Sequence, residues 1–234
     1  ETTFGDARRG FIYEQVRSNL LRLGTHSPHP KNWRPTTLVL SGNPNHRLTL
    51  ARYAEWLASS SGIVTLATVI EGDILANLER RAEALGELTA YIEANNLEAF
   101  PEVHVSPNFE DGLSGLLQGH SIGPLKPNML LLGWPGSSAR ASWFAHHLRL
   151  SRELGMSQVL LFDRGLPQAE RADRSIDVWW RGRKNGSLMV ILAYMLTRNF
   201  GWRRTRIRLL RLAQPAEDTD TVQHELDVLL ARGR

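Results

Sequence analysis

The sequence contains no cysteine, and only 8% of its 234 residues are aromatic. Without cysteine the chain can form neither a disulfide framework nor a thiolate metal site, which fits a reducing compartment. Long apolar runs are also missing. The longest spans nine residues, Leu188–Leu196, about half of the roughly 18 that a membrane-spanning helix requires. Glu1–Gly24 is charged and lacks the apolar centre of a secretory leader. We therefore expect a chain with neither a spanning helix nor a leader.

Acidic residues are scarce between residues 171 and 211. Between Arg171 and Arg211 eleven basic residues, almost all arginine, stand against only Asp173 and Asp177. Such a stripe can face solvent, anionic lipid or nucleic acid. A solvated face is the simplest interpretation. Among partners, anionic lipid headgroups are favoured, because each basic residue near them gains roughly 1 kcal/mol. No aromatic residues are spaced along the stripe for base stacking, so we expect no nucleic acid.

The first 34 residues predict a helix followed by a linker. Apolar residues at spacings of four, four and three form one stripe, consisting of Ile12, Val16, Leu20 and Leu23. Asp6 can cap the helix, and Gly24 ends it. The proline-rich segment 25–34 is typical of an extended strap. An amphipathic helix on a strap must bury its stripe against another surface, so these four residues are candidates for an interface.

The body of the chain alternates strand and helix. Apolar, β-branched segments predict strands at 37–41, 63–70, 100–106, 129–134 and 158–163. Helices are predicted between them at 45–60, after the cap Asp73, at 110–118 and at 138–154. This alternation is typical of a mostly parallel, doubly wound α/β sheet. After residue 165 the spacing changes: strands at 176–180 and 205–212 and helices at 188–198 and 217–231 predict a smaller α/β lobe. The predicted domains are therefore 1–34, 35–165 and 166–234.

Two loops lie where an open α/β sheet binds phosphate groups. The turn after the first strand contains Gly42 but no second glycine, and Pro44 removes a backbone donor. The segment containing Gly133 and Gly136 begins like the adenine-nucleotide loop of universal stress proteins. It lacks that loop's later glycine, because His146 and His147 stand there instead. The three glycines are thus weak nucleotide candidates, and we expect no cofactor.

Other catalytic patterns are missing from the sequence. Adjacent His146 and His147 on a helix project about 100° apart and cannot chelate one ion from one face. No G-x-S-x-G elbow occurs. Asp163, after a predicted strand, is best interpreted as a loop cap. We therefore expect no metal site, no catalytic residue and no enzyme activity.

Adjacent tryptophans form the most distinctive feature of the chain. Trp179 and Trp180 end a strand-like Ile-Asp-Val segment, so their side chains should point to opposite faces. One of them should belong to the core and the other to an interface. Trp202, which follows the apolar helix and precedes the arginines, is a third aromatic interface candidate.

Three sequence blocks resemble the cytoplasmic C-terminal domain of cation–chloride cotransporters. The first is Asn32-Trp33-Arg34-Pro35 followed by Leu-Val-Leu-Ser-Gly at 38–42. The second, Leu125–Gly133, resembles the family's Lys-Pro-Asn-Thr-Leu-Val-Leu-Gly strand. The third and most specific block comprises Ile176–Trp180, Gly186, Leu188, Tyr194–Arg198, Trp202 and Arg206–Arg208. The lack of long acidic insertions is typical of a compact, prokaryotic-type member.

This resemblance implies a function that lies mostly outside the chain. The family domain follows a twelve-helix membrane domain, has an α/β fold similar to universal stress proteins and commonly forms dimers. The parent protein carries chloride together with sodium or potassium. The chain would then be a non-catalytic regulatory and dimerisation domain at the cytoplasmic face of the cell membrane. Two alternatives remain open: a nucleotide-sensing module like universal stress proteins, and an RNA-binding protein.

Overall fold

The computed structural model describes residues 4–26, 32–42, 47–135, 141–166, 174–180, 185–212 and 219–232. The chain divides into two compact units, a first unit of Glu1–Gly165 and a second unit of Leu166–Arg234. Across the described ranges, no helix is both long and apolar enough to cross a bilayer. Residues 27–31 of the predicted linker lie outside the described ranges, so the separate segment 1–34 stays a prediction.

Strands and helices alternate along the first unit. Its helices are α1 (Phe4–Thr25), α2 (Leu48–Ala58), α3 (Leu78–Ala94), α4 (Phe109–Gly119) and α5 (Ala141–Glu153). Its strands are β1 (Thr36–Leu40), β2 (Ile63–Glu71), β3 (Phe100–Ser106), β4 (Met129–Gly133) and β5 (Ser157–Leu161). Each lies within a few residues of its predicted position. The starts of the predicted helices at 45–60 and 138–154 fall on undescribed residues 45–46 and 138–140.

The five strands form one sheet in the order β3-β2-β1-β4-β5, and every pair is parallel. Val39 at the centre of β1 is in register with Leu66 on one side and Leu131 on the other. The predicted parallel α/β sheet is confirmed. Its likeness to universal stress proteins stays a prediction.

Apolar side chains alternate between the two faces of the sheet, and helices cover both. On one face Val39, Leu66 and Leu131 pack with residues of α2 and α3, among them Ala54 and Leu88. On the opposite face the apolar cluster contains Leu38, Leu40, Ala67, Leu113 and Phe144, so α4 and α5 pack there. Burial on both faces explains why the strands are apolar throughout instead of alternating.

Two details of the helices differ from the sequence prediction. Asp73 does cap a helical turn, since its Oδ1 accepts a hydrogen bond from the N–H of Ala76 at 2.9 Å. That turn is a short 3₁₀ helix, Leu75–Asn77, and α3 begins only at Leu78. The predicted stripe on α1 covers only part of its apolar surface, because Phe11, Tyr13 and Leu21 are exposed on its other sides.

The second unit contains a two-stranded parallel sheet of β6 (Ser175–Trp179) and β7 (Arg206–Leu210). Helix α6 (Gly186–Thr197) and a 3₁₀ turn, Phe200–Trp202, connect the strands, and α7 (Thr219–Arg232) follows. The elements match those predicted for this region. Residues 217–218 of the predicted last helix are not described.

Candidate functional site

A cavity of about 620 Å³ opens at the carboxyl ends of the strands in the first unit. Strand β1 leads to α2 on one face of the sheet, whereas neighbouring β4 leads to α5 on the other. Such a change of direction between adjacent parallel strands leaves a crevice, the usual ligand site of open α/β sheets. The described residues that line it are Leu40, Gly42, Arg47, Glu71, Asn108, Phe109, Glu110, Asp111, Leu132, Gly133, Trp134, Pro135 and Trp143.

Two of the three glycines predicted as nucleotide candidates line this cavity. Gly42 has a φ of +55°, a left-handed conformation that glycine adopts readily. Its carbonyl accepts a hydrogen bond from Thr68 Oγ1 at 3.0 Å, which fixes the end of β1. A Cβ at Gly133 would stand 2.7 Å from Nη1 of Arg47. The guanidinium therefore lies directly over the end of β4. Gly136 lies outside the described residues.

The described wall of the cavity is more acidic than basic. Carboxyl groups come from Glu71 at the end of β2 and from Glu110 and Asp111 in the first turn of α4, against the single guanidinium of Arg47. Acidic residues in a first turn also stabilise the helix by facing its dipole. Asn108 caps the same turn: its Oδ1 accepts from the N–H of Asp111 at 2.8 Å. Its Nδ2 donates to the Asp111 carboxylate at 2.7 Å.

An aromatic cluster closes one side of the cavity. Phe109 of α4 meets Trp143 of α5 edge to face, with ring centroids 5.1 Å apart. Trp143 packs against Phe144, and the ring centroids of Phe144 and Trp134 lie 6.1 Å apart. Sequence reasoning missed this cluster, because the residues are spread over three segments. The cavity thus joins an apolar wall to a charged rim, as ligand sites commonly do.

His147 fastens α4 to α5 beneath the cluster. Its side chain is fully buried; Nδ1 lies 2.7 Å from the carbonyl oxygen of Trp143, and Nε2 lies 3.1 Å from that of Glu110. Carbonyl oxygens only accept hydrogen bonds, so the ring nitrogen that carries the proton donates to one of these two carbonyls. Neighbouring His146 is exposed. Over the part of the chain that the structure describes, no group of three His, Asp or Glu side chains could hold a metal ion.

Asp163 acts as the predicted loop cap. It follows β5 at the carboxyl edge of the sheet, and its Oδ1 accepts a hydrogen bond from the N–H of Gly165 at 2.7 Å. Gly165 has a φ of +88°, so the chain turns sharply here. The carboxylate therefore stabilises the turn that ends the first unit.

In the second unit the two adjacent tryptophans lie in different environments. Trp179 is 56% exposed on the outer face of the strand pair. Trp180 lies over the first residue of α6, so closely that a Cβ on Gly186 would overlap its ring. The backbone N–H of Trp180 donates to the carbonyl of Leu210 at 2.6 Å, which extends the ladder beyond β6. Trp202 is only 7% exposed and packs under the guanidinium of Arg174.

The apolar interface candidates of α1 lie on the surface. Ile12, Val16 and Leu23 are about half exposed and Leu20 is partly buried. No described partner covers this helix along its length. Its interface role, like that of Trp179, Trp180 and Trp202, stays a prediction.

Comparison with known proteins finds a matching family model and a similar solved structure. The family model "Solute carrier family 12" matches residues 47–147, which span α2 to α5 and most of the cavity's described lining. Among solved structures, one titled "Crystal structure of the cytoplasmic domain of a prokaryotic cation chloride cotransporter" aligns with 15% sequence identity and a TM-score of 0.47. The alignment covers 83% of this chain and 92% of that one. Over residues 47–147 the match to the model of solute carrier family 12 therefore agrees with the resemblance recognised in the sequence.

Proposed function

We propose that the chain is a non-catalytic cytoplasmic domain of a secondary transporter of the cation–chloride cotransporter type. The match of residues 47–147 to solute carrier family 12 carries this proposal. Its partners are its own transmembrane domain and a second copy of itself, with anionic lipid headgroups beside them. The membrane domain would carry chloride together with sodium or potassium, and this domain would regulate it.

Dimerisation is the part of the proposal that the chain itself can test. Helix α1 exposes apolar side chains on a surface that no described residue covers along its length. Burying a half-exposed Ile or Val on a partner contributes roughly 1 kcal/mol, since full burial is worth about 1.5–3 kcal/mol. Two such helices packed side by side would stabilise a homodimer. We expect sedimentation velocity to show a monomer–dimer equilibrium that shifts to dimer as the protein concentration rises.

Charged substitutions on α1 sharpen this test. The double variant Ile12→Asp, Val16→Asp should sediment as a monomer at concentrations at which the parent chain is dimeric. The matched control is Gln15→Asp, Ser18→Asp, which adds the same charge to α1 at positions outside the stripe and should leave the dimer intact. A chain that stays monomeric at all concentrations, or a dimer unaffected by both variants, would contradict the proposed dimerisation through α1.

A second candidate function is nucleotide sensing, and the cavity at the strand ends favours it. The strand order of the sheet is the one in which dinucleotides bind at the change of direction, with an acidic residue hydrogen-bonding the ribose. Glu71, at the end of β2, occupies a suitable place for that role. The described wall, however, offers phosphate groups one guanidinium and three carboxyl groups. This charge balance favours a nucleoside over a triphosphate.

Calorimetric titration with adenosine, AMP and ATP separates the two functions. A sensor should bind with micromolar affinity, and binding should be lost in Gly42→Val and weakened in Glu71→Gln. The control Glu83→Gln changes an exposed carboxylate on α3 away from the cavity. No heat of binding for any of the three ligands would eliminate the sensor and leave the transporter domain.

A further inference from the structure

The turn between α6 and β7 combines a highly exposed phenylalanine with a group of arginines. Phe200 is 86% exposed, more than any other large apolar side chain in the described residues. It begins a 3₁₀ helix, Phe200–Trp202, and Arg198, Arg203, Arg204 and Arg206 flank it. We call residues 198–206 the arginine-rich turn.

Hydrogen bonds and a cation–π contact hold the arginine-rich turn in place. Arg174 donates a hydrogen bond through Nη1 to the carbonyl of Gly201 at 3.0 Å, and its guanidinium stacks on Trp202. The N–H of Thr205 donates to the carbonyl of Trp202 at 3.0 Å. Trp202 is buried, so the turn is anchored while the neighbouring phenylalanine projects outward. The exposure of Phe200 is therefore built into the fold of the second unit.

The charge around this turn is of one sign. Residues 174–180 and 185–212 contain seven arginines and a single acid, Asp177. Asp177 is paired with Arg208, whose Nε and Nη2 donate hydrogen bonds to the Asp177 carboxylate at 2.7 Å and 2.6 Å. Arg198, Arg204 and Arg206 make no side-chain hydrogen bond or ion pair within the described part of the chain. Three guanidinium groups are thus available to an anionic partner.

Arginine beside an exposed aromatic ring fits the surface of an anionic bilayer. Guanidinium groups bind phosphate with two parallel hydrogen bonds, which an ammonium group cannot match. A phenylalanine gains free energy when its ring enters the boundary between headgroups and acyl chains. Arg203 lies 5.4 Å from the centre of the Phe200 ring, so an inserted ring carries a guanidinium to the level of the phosphates. RNA would require a series of stacking aromatics, and the turn exposes one.

We infer that the arginine-rich turn docks on anionic lipid headgroups, with Phe200 entering the interface and Arg203, Arg204 and Arg206 contacting lipid phosphates. The inference rests on the proposed function, which places the chain beside a bilayer, and it names the surface and the lipid chemistry. Soluble phosphate compounds share the headgroup chemistry but offer no interface for the ring.

Vesicle flotation of the 234-residue chain tests the inference. We expect binding to vesicles that contain phosphatidylglycerol, no binding to pure phosphatidylcholine vesicles, and a loss of binding as salt rises. Arg204→Gln and Arg206→Gln should each weaken binding about fivefold, and Phe200→Ser should weaken it at least about tenfold. Free glycerol phosphate should not displace the chain from the vesicles at concentrations matching the lipid.

The first unit supplies a matched control. Phe162 is also exposed, at 62%, and Arg164 stacks over its ring at 5.1 Å, but without further arginines along the segment. Phe162→Ser and Arg164→Gln should leave vesicle binding unchanged. Thermal melts of all variants should match the parent chain, which separates lost binding from lost folding.

Four results would overturn the inference: no binding to anionic vesicles, equal losses in the control pair, complete displacement by glycerol phosphate, or tighter binding to an RNA oligonucleotide than to vesicles. Sedimentation of the same samples distinguishes this failure from failure of the proposed function. If the chain forms the α1 dimer but does not bind anionic vesicles, the lipid-docking inference is refuted and the proposed function is not.

Discussion

The side chain of Asn128 is hydrogen-bonded to the backbone on both sides of Pro35. Its Nδ2 donates to the carbonyl of Arg34 at 2.7 Å, and its Oδ1 accepts from the N–H of Thr36 at 2.9 Å. Arg34 and Asn128 lie 94 positions apart, in the first and second of the sequence blocks that resemble cation–chloride cotransporters. The two blocks therefore meet at the start of β1, where one amide aligns β1 with β4.

Replacing Asn128 should misalign this strand pair. We expect Asn128→Ala to lower the free energy of unfolding by about 1–2 kcal/mol, because a backbone donor and acceptor lose their partner in a half-buried place. Urea denaturation followed by tryptophan fluorescence measures the change. Lys126→Ala, an exposed neighbour in the same block, is the control and should be close to neutral. Equal stability of the two variants would show that the amide does not align the strands.

The ring of Trp180 leaves no room for a side chain at position 186, where the sequence has glycine. A methyl group at this position would overlap the ring, so either the indole or the start of α6 must move. We expect Gly186→Ala to cost about 1–3 kcal/mol, as overpacking usually does. Gly201→Ala in the same unit is the matched control, since a Cβ there meets no atom within 4 Å. Thermal unfolding monitored by circular dichroism compares them, and an unchanged midpoint for Gly186→Ala would refute the close contact.

The adjacent tryptophans should differ in their contribution to stability. Trp180→Ala removes a ring packed on α6 and should cost about 3 kcal/mol, the lower end for large aromatic truncations because the ring is only partly buried. Trp179→Ala removes a mostly exposed ring, so we expect less than about 1 kcal/mol. Chemical denaturation of both variants gives the comparison. Similar losses would mean that Trp179 is also packed.

The pair of Asp177 and Arg208 should make the second unit sensitive to acid. The hydrogen bond from Arg208 holds the pKa of Asp177 below its ordinary value of 3.8. A carboxyl group with a lowered folded-state pKa stabilises the fold above its unfolded pKa, and this contribution is lost as the pH falls through the folded value. Asp177→Asn should therefore melt at a lower temperature than the parent chain at neutral pH, and the difference should vanish as the pH falls below 3.8.

The effect will be small and sensitive to salt, because both side chains reach solvent. Arg206→Gln serves as the control: in the strand pair it is in register with Ser175, not with an acid. A melting difference for Asp177→Asn that persists unchanged in acid would exclude the ion pair as its cause.

The sequence predicts the elements of this fold well because apolar periodicity reflects burial directly. Strands β2 and β4 are recognisable as apolar runs, since helices cover both of their faces. The start of α3 is less predictable. Asp73 caps a turn that could lead into either helix type, and the 3₁₀ turn before Leu78 buries no residue whose spacing would distinguish the two.

The candidate site is only half visible in the sequence. Gly42 and Gly133 stand out because glycine after a strand marks a turn or a close approach. Arg47 and Glu71 do not, because a charged residue at an element's end is usually solvated. They join the cavity only through the order of the strands, which places β1 between β2 and β4. No local sequence pattern encodes that order.

The size and location of the intact gene product test the central claim most directly. An antibody raised against this chain can detect the protein in fractions of its source cells. If this domain belongs to a twelve-helix transporter, the antibody should detect a band at more than about twice the chain's 26.4 kDa. The band should stay in the membrane pellet after an alkaline carbonate wash. A band near 26.4 kDa in the soluble fraction would contradict the account.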